Sequence, residues 1–500
     1  MVKIELNLIN TMTSQIYRIV RGQLIFMLVF VFVLNSCGRK DLLESKLDEL
    51  KVENVIDNTE FYSLIDLIAS NKEERSFRKF LSKDGQIQED KLKVYLEKKG
   101  YTISLENLKG VSKINFFLES SGSIDGYLNG NTSYKNDIID LLVDIKNHYD
   151  VKDINLSYIT DKVTPLNITD NVTDISKALT VESFRTAGNR ANSDLNEILN
   201  MSFNLQDDRE VTFLVSDMIY SINGSNVLEL LNANKSFIKD AFNKALKKDT
   251  DLSTLVLKLD SDFNGVYYSY NNSKTVINKK ERPYYLFVFG GERYLDELIT
   301  KLDLLNRKEV KEYHYFTSSK TPVYYNVFKT DNDSGSYKID KGRNSEEISI
   351  SDIRISSRDS EEFSFTVGVD FSKLNLENSY LEDINNYTIN NGNYELRSVE
   401  RFDIGQLHPS AKNQLVTSHK TLTHLLVFEA VSKNYSDLKF VLNKKIPNWV
   451  ATVNTEDDLN INETMEKTFG FKYLFDGIYE SYLNNAENKE YSEFKIKINK

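Results

Sequence analysis

The stretch Ile114-Asn115-Phe116-Phe117-Leu118-Glu119-Ser120-Ser121-Gly122-Ser123 begins as an apolar run and ends in small polar residues. Its first five residues have the length and the bulky side chains of a buried β-strand, and the Ser-Gly-Ser segment is typical of a turn. A second apolar run, Val211-Thr212-Phe213-Leu214-Val215, is followed by Ser216-Asp217. Each run therefore predicts a buried strand with polar side chains at its carboxyl end.

Amphipathic helical segments separate these strands from further apolar runs. One helix is expected to carry Ile138, Leu141, Leu142 and Ile145 on one face. Other predicted helices cover 193–205, 226–246 and 293–305, and other predicted strands cover 154–159, 254–259 and 284–289. Strands that alternate with helices predict an α/β domain over residues 109–308, with a mostly parallel sheet flanked by helices.

The pattern changes after about residue 309, where apolar and polar residues begin to alternate. Alternation with a period of two is typical of strands with one buried face. Residues 309–500 are therefore predicted to form a β-rich, sandwich-like domain, which a helix over 464–483 closes. We expect Asp457-Asp458 to form a solvated acidic turn, and Trp449 to lie in the core.

The N-terminus has the three parts of a secretory signal in the usual order. Basic residues precede an unbroken apolar run at 24–34, which is shorter than the roughly 20 residues that a membrane-spanning helix needs. Leu34-Asn35-Ser36-Cys37 follows and resembles the lipobox of bacterial lipoproteins. The resemblance implies that residues 1–36 are removed and that Cys37 is acylated, so that residues 37–108 form a lipidated tether and helical lead-in.

The residues around Cys37 also indicate a compartment. Cys37 is the single cysteine, so the exported part of the chain cannot form an internal disulfide. In enteric-type sorting, an aspartate directly after the acylated cysteine retains lipoproteins at the inner membrane, and this chain has Gly38 at that position. No acidic run follows immediately. We therefore expect a lipid anchor in the cell outer membrane, with the protein on the periplasmic face.

Charge and motifs exclude several classes of function. The net charge of −11 argues against nucleic acid as a partner, because nucleic-acid-binding surfaces are basic. It also gives little attraction to anionic lipid, so the membrane contact is expected to be the acyl anchor. The sequence contains neither a Gly-x-Ser-x-Gly elbow nor a phosphate-binding glycine loop. We therefore do not expect an enzyme.

Polar residues at the predicted strand ends suggest a metal site. In an open α/β sheet, ligands bind beyond the carboxyl ends of the strands. The residues expected there carry oxygen atoms, which Mg²⁺, Mn²⁺ and Ca²⁺ prefer. The candidate ligands are Glu119, Ser121, Ser123, Ser193 and Asp217.

This arrangement resembles the von Willebrand factor A domain and its metal-ion-dependent adhesion site. The stretches Phe263-Asn264-Gly265-Val266-Tyr267-Tyr268 and Arg282-Pro283-Tyr284-Tyr285 resemble segments of von Willebrand A-like lipoproteins of Bacteroidota-type bacteria. Ser121 and Ser123 match the two serines of the family pattern, and Asp217 matches its last aspartate. Ser193 stands where the family has a threonine, and Glu119 departs from the pattern because it replaces the first aspartate. The resemblance implies that one metal position stays open for a carboxylate of the partner.

Three functions follow as hypotheses. The first is a lipid-anchored envelope protein that captures a protein partner, not yet identified, through this metal-dependent face. The second is a non-catalytic envelope assembly scaffold with a degenerate metal site, in which Glu119 and Asp217 bond only to nearby hydroxyls and amides. The third, an enzyme with an unrecognised site, has no motif in its favour.

Overall fold

A computed structural model of the chain describes most of residues 42–499. The described ranges are 42–49, 55–56, 58–72, 74–82, 85, 87–103, 110–167, 169, 171–190, 194–220, 222, 226–331, 333–341, 348–355, 362–390, 392–418, 420–486 and 488–499. The predicted signal peptide, the predicted lipidation site Cys37 and the predicted ligand Ser193 lie outside them. None of the helices in the described part of the chain is both long and apolar enough to cross a membrane.

The chain divides into two compact units, residues 1–108 and 109–500. The first unit is mainly helical around a small apolar core that includes Leu43, Phe61, Phe80 and Leu92. Its elements are helices α1 (Leu42–Glu49), α2 (Asn58–Ser70) and α3 (Glu89–Lys98), a 3-10 turn (Arg78–Phe80), and the paired strands β1 (Val55–Ile56) and β2 (Thr102–Ile103).

The second unit begins with a seven-stranded sheet covered by helices. Its strands are β3 (Lys113–Glu119), β4 (Ile154–Ile159), β5 (Val163–Pro165), β6 (Glu210–Ser216), β7 (Leu252–Tyr268), β8 (Lys274–Gly291) and β9 (Val310–Phe316), in the order 5-4-3-6-8-7-9. Its helices are α4 (Asp125–Leu128), α5 (Ser133–His148), α6 (Val172–Ala178), α7 (Val181–Phe184), α8 (Leu195–Asn204), α9 (Val227–Lys248) and α10 (Glu292–Lys301). The predicted α/β class is therefore confirmed.

The predicted parallel arrangement holds for the central strands of the sheet and not for the outer ones. The pairs β3–β4 and β3–β6 are parallel, whereas the four other pairs are antiparallel. The predicted strands at 254–259 and 284–289 are parts of β7 and β8, which a short turn joins as a hairpin. Strands of a hairpin must run antiparallel, so parallel pairing is confined to the centre of the sheet.

The rest of the second unit forms two further main sheets. Strands β10 (Tyr325–Phe328), β13 (Ser364–Val369), β16 (His424–Ala430) and β15 (Tyr394–Arg401) form one, and β11 (Ser336–Lys341), β12 (Ile348–Arg354), β20 (Glu490–Ile498), β17 (Leu438–Asn443) and β14 (Tyr387–Ile389) form the other. The remaining strands and α-helices are β18 (Asn454–Thr455), β19 (Thr468–Phe469), α11 (Asn378–Leu381), α12 (Pro409–Ser418), α13 (Asn448–Val453) and α14 (Phe471–Asn485). The ring of Phe428 lies 4.7 Å from that of Phe440, so the two sheets share an apolar interior.

The last helix, α14, joins the two parts of this unit. It packs along α9, where Ser481 Oγ donates a hydrogen bond to Lys239 O at 2.9 Å. On another side, Phe475 contacts Phe316 of β9, with 4.8 Å between the ring centroids. Trp449 lies in the same core, as predicted. The boundary drawn at 308/309 therefore separates two parts of one compact unit.

A glycine permits the close approach of α14 to α9, and this contact can be tested. A Cβ atom at Gly477 would lie 2.7 Å from Lys235 O and 3.1 Å from Ile238 Cβ. Overpacking of this kind costs on the order of 1–3 kcal/mol, against a gain in helix propensity of about 1 kcal/mol. Because a backbone atom cannot move aside, we expect Gly477→Ala to lower the free energy of unfolding, measured as a lower urea midpoint. Gly392→Ala, where no atom lies within 4 Å of the added Cβ, should leave the midpoint unchanged.

Candidate functional site

Three of the predicted ligands meet at the carboxyl end of β3. Glu119 is the last residue of this central strand, and its side chain is buried. The Ser121 hydroxyl donates to Glu119 Oε2 at 3.3 Å and lies 2.7 Å from the Ser123 hydroxyl. Both serines are 9% exposed. The turn after β3 therefore brings one carboxylate and two hydroxyls together near the surface.

Asp217 follows the neighbouring strand β6. Because β3 and β6 are paired in parallel, with Leu118 opposite Val215, their carboxyl ends meet at one edge of the sheet. Burial raises the pKa of Asp217, although the Ser123 hydroxyl and the charge of Arg282 both act to lower it. Asp217 Oδ1 accepts a hydrogen bond from Ile219 N at 3.4 Å. Within the described part of the chain, the buried Oδ2 atom has no hydrogen-bond partner.

A buried arginine accompanies this carboxylate. Arg282 of β8 is 1% exposed and donates to Met465 O at 3.0 Å and to Lys467 O at 3.4 Å. Its guanidinium lies 4.5 Å from the centre of the Tyr267 ring. No role for Arg282 was predicted from the sequence. Arg282 directly precedes the apolar strand segment from Pro283 to Phe289. This position was the signal in the sequence, because a charged residue that is buried with such a segment needs a partner.

The prediction for Asp458 was wrong. Asp458 is 1% exposed, and it accepts hydrogen bonds from Tyr267 Oη at 2.5 Å and from Tyr270 N at 3.0 Å. The sequence suggested a solvated turn because the neighbouring residues are polar. The burial arises because β7 and β8 extend as a two-stranded ribbon beyond their pairings with the other strands of the sheet, and the chain around Asp458 packs against this ribbon.

Another arginine fixes the loops around the predicted ligands. Arg190 donates through Nε to Ser120 O at 3.0 Å and through Nη2 to Ser121 O at 2.6 Å. The same Nη2 atom lies 2.5 Å from Asp125 Oδ1. Gly122 N donates in return to Arg190 O at 3.2 Å. The loop that leads toward residue 193 is thereby tied to the turn that carries Ser121 and Ser123.

The helix after this loop begins later than predicted. Its N-cap is Asp194, whose carboxylate accepts from Asn196 N and Glu197 N, and the helix itself starts at Leu195. Ser193, the first residue of the helix predicted over 193–205, is also of a type that caps helices. Either residue type caps a helix well, so composition alone could not decide between neighbouring positions.

The chemistry of the described ligands fits a divalent cation. Glu119 and Asp217 provide carboxylates, and Ser121 and Ser123 provide hydroxyls, which are the oxygen ligands that Mg²⁺, Mn²⁺ and Ca²⁺ take. The orphaned Asp217 Oδ2 is a buried acceptor that a cation would satisfy. Among the described residues, no three or more His, Cys, Asp or Glu side chains form a group that could hold a metal. Any metal here would therefore depend on the serine hydroxyls.

The electrostatic link between Arg282 and Asp217 can be tested in the presence of EDTA. Replacing Arg282 by Met should leave the buried Asp217 carboxylate without a positive charge that acts to lower its pKa, and it also removes the hydrogen bonds to Met465 O and Lys467 O. We expect a lower urea midpoint in Arg282→Met, and partial recovery when Asp217→Asn is added. The exposed Lys280→Met on the same strand is the matched control. Equal midpoints for Arg282→Met with and without Asp217→Asn would show that the two groups do not interact.

Comparisons with known proteins do not assign the chain to a family. No protein-family model matches it, and no curated protein is similar to it.

Proposed function

We propose that the chain is a lipid-anchored envelope protein that captures a protein partner at the edge of the sheet where Glu119, Ser121, Ser123 and Asp217 meet. One observation carries the proposal: Asp217 is buried, and its Oδ2 atom has no hydrogen-bond partner in the described structure. A buried acceptor without a partner is unfavourable, so such a group is expected to have a function that uses it. With Mg²⁺, Mn²⁺ or Ca²⁺ bound, the site would offer a coordination position to a carboxylate of the partner.

The proposed ligands and Arg190 have separate roles in this proposal. Glu119 and Asp217 supply the negative charge, and Ser121 and Ser123 supply neutral oxygen ligands. Ser193 is proposed as a fifth ligand on the resemblance to the von Willebrand factor A domain alone. Arg190 acts through the loops, because its bonds to Ser120 O and Ser121 O hold the two serines in place. No catalytic step is assigned to any of these residues.

The anchor and the compartment belong to the same proposal. The apolar run at 24–34 and the lipobox-like Leu34-Asn35-Ser36-Cys37 support acylation of Cys37. We place the protein in the cell outer membrane, facing the periplasm. There, the acyl chains hold it at the membrane while the α/β part meets the partner.

The second candidate function is an assembly scaffold without a metal, and Arg282 is the observation in its favour. The guanidinium already acts to lower the pKa of Asp217, so it supplies a positive charge from within the protein. In this case Asp217 and Arg282 form a structural pair. Binding of the partner would then survive EDTA and would involve residues beyond about 310.

Metal binding to the full chain, purified in a non-ionic detergent, separates the two candidates. Ligand that binds only the folded state stabilises it by about 2.7 kcal/mol at a hundred times its dissociation constant. We expect Mg²⁺, Mn²⁺ or Ca²⁺ at millimolar concentration to raise the unfolding temperature of EDTA-treated protein. Asp217→Asn should abolish the rise, whereas the exposed Asp262→Asn should keep it. No rise in the wild-type protein would move the scaffold to first place.

Partner capture in intact cells tests the proposal independently of stability. A chemical cross-link between the wild-type protein and its partner should disappear with EDTA and in Asp217→Ala, provided that this variant is folded. A cross-link that persists in a folded Asp217→Ala protein would contradict capture through this edge of the sheet.

A further inference from the structure

Three lysine side chains converge on one glutamate of the five-stranded sheet that contains β17 and β20. Lys320 donates through Nζ to Glu493 Oε2 at 2.6 Å. The Glu493 Oε1 atom lies 3.0 Å from the Nζ atoms of both Lys439 and Lys495. Because these two ammonium groups share one oxygen atom, their nitrogen atoms lie no more than twice 3.0 Å apart. None of these residues belongs to the candidate site around Asp217, so the inference does not rest on the proposed function.

The cluster carries an excess of positive charge. Three ammonium groups stand against one carboxylate, and no other acceptor pairs with these groups in the described part of the chain. Hydrogen bonds from Lys320, Lys495 and Lys439 lower the pKa of Glu493 to about 2. The chain as a whole has a net charge of −11. The cluster therefore has the opposite sign to the rest of the protein, and it favours an anionic ligand.

The register of the two strands is a second observation that points to a ligand. Strands β17 and β20 are antiparallel, and Lys439 lies directly opposite Lys495. Like charges directly opposite each other on one face of a sheet are destabilising. Glu493 lies opposite Val441, so the register does not set the acid against a lysine. Proteins break local rules of this kind mainly at functional sites.

The lysine side chains are accessible from solvent. Their exposed fractions are 28% for Lys320, 44% for Lys439 and 72% for Lys495, whereas the Glu493 side chain is 18% exposed. An ammonium group has three N–H donors, so one bond to Glu493 leaves about two donors on each lysine. A ligand that approaches the sheet would therefore meet ammonium groups with donors to spare.

The charge and the number of ammonium groups indicate which anion fits. A carboxylate or a phosphate diester carries one negative charge, so either would neutralise only half of the local excess. A phosphate monoester carries about −1.5 to −2 at neutral pH and has three strong acceptor oxygen atoms. Its charge matches the excess that Glu493 leaves, and its oxygen atoms match the three ammonium groups in number.

We propose that Lys320, Lys439 and Lys495 bind the phosphate group of a phosphate monoester, carried either by a small molecule in solution or by a lipid headgroup. The phosphate oxygen atoms accept hydrogen bonds from the three ammonium groups. Glu493 holds these groups together before the ligand arrives, which reduces the cost of their mutual repulsion. No covalent step is involved.

Titration calorimetry on the full chain in non-ionic detergent tests the proposal. Propyl phosphate is the soluble probe, and phosphatidate in the detergent micelles is the lipid probe. Diethyl phosphate and phosphatidylglycerol, which are diesters, are the matched controls. We expect saturable binding of at least one monoester and weaker binding of its diester. Binding of propyl phosphate alone identifies a soluble ligand, binding of phosphatidate alone identifies a lipid headgroup, and binding of both identifies the shared phosphate group. No saturable binding of either monoester at millimolar concentration, or equal binding of the diesters, would overturn the proposal.

Two variants test whether the binding involves these lysines. Lys439→Gln and Lys495→Gln each remove one ammonium group, and we expect each to weaken binding about fivefold. Because solvent-exposed ion pairs contribute little to stability, both variants should keep the urea midpoint of the wild-type protein. Lys311→Gln, at an exposed position of strand β9, is the matched control and should keep the affinity. Unchanged affinity in both variants would overturn the proposal and assign the lysines to the stability of the sheet. An equal loss of affinity in Lys311→Gln would also overturn it.

Discussion

The desolvated carboxylate of Asp217 is the constraint from which the arrangement of the site follows. A charge in such a position requires a nearby positive charge or hydrogen-bond donors, or it becomes neutral. The Ser123 hydroxyl, the Ile219 amide and the Arg282 guanidinium each meet part of this need, and one oxygen stays without a partner in the described structure. The two proposed functions differ only in what completes the set. In the capture function, a metal ion and a carboxylate of the partner complete the set. In the scaffold function, the positive charge of Arg282 is sufficient.

The ribbon formed by β7 and β8 connects this site to the far end of the chain. Arg282 reaches the site from β8, but its hydrogen bonds are to the carbonyl groups of Met465 and Lys467. Tyr267 of β7 donates to Asp458. A perturbation of the segment around 458–467 would therefore reach Asp217 through the buried Arg282. The candidate site belongs to the whole second unit, although its proposed ligands all come from its first half.

Residues with local signals were predictable from the sequence, and residues defined by distant contacts were not. The mainly apolar run Ile114–Leu118 marked β3, and the polar residues after β3 and β6 were expected at one edge because parallel strands end together. Asp458 was misread because its partners, Tyr267 and Tyr270, are almost two hundred positions away along the chain. The same limit applied to Arg282 and to the antiparallel strands. The local sequence around 254–259 or 284–289 predicts a buried strand, but it does not show which other strand pairs with it. The metal ligation itself, the acylation of Cys37 and the von Willebrand factor A likeness stay predictions.

The packing of α14 on α9 also bears on the order in which the protein folds. The hydrogen bond from Ser481 to Lys239 spans 242 residues, and α9 buries Ile238, Ala241 and Phe242 in the core that this contact helps to close. Contacts with such large sequence separation form late, because the loop between them must close first. As the ribosome releases the chain from its N-terminus, α9 is complete long before its covering helix exists. The face of α9 that α14 covers thus stays exposed until residues Phe471–Asn485 have followed, which gives chaperones an apolar surface to bind.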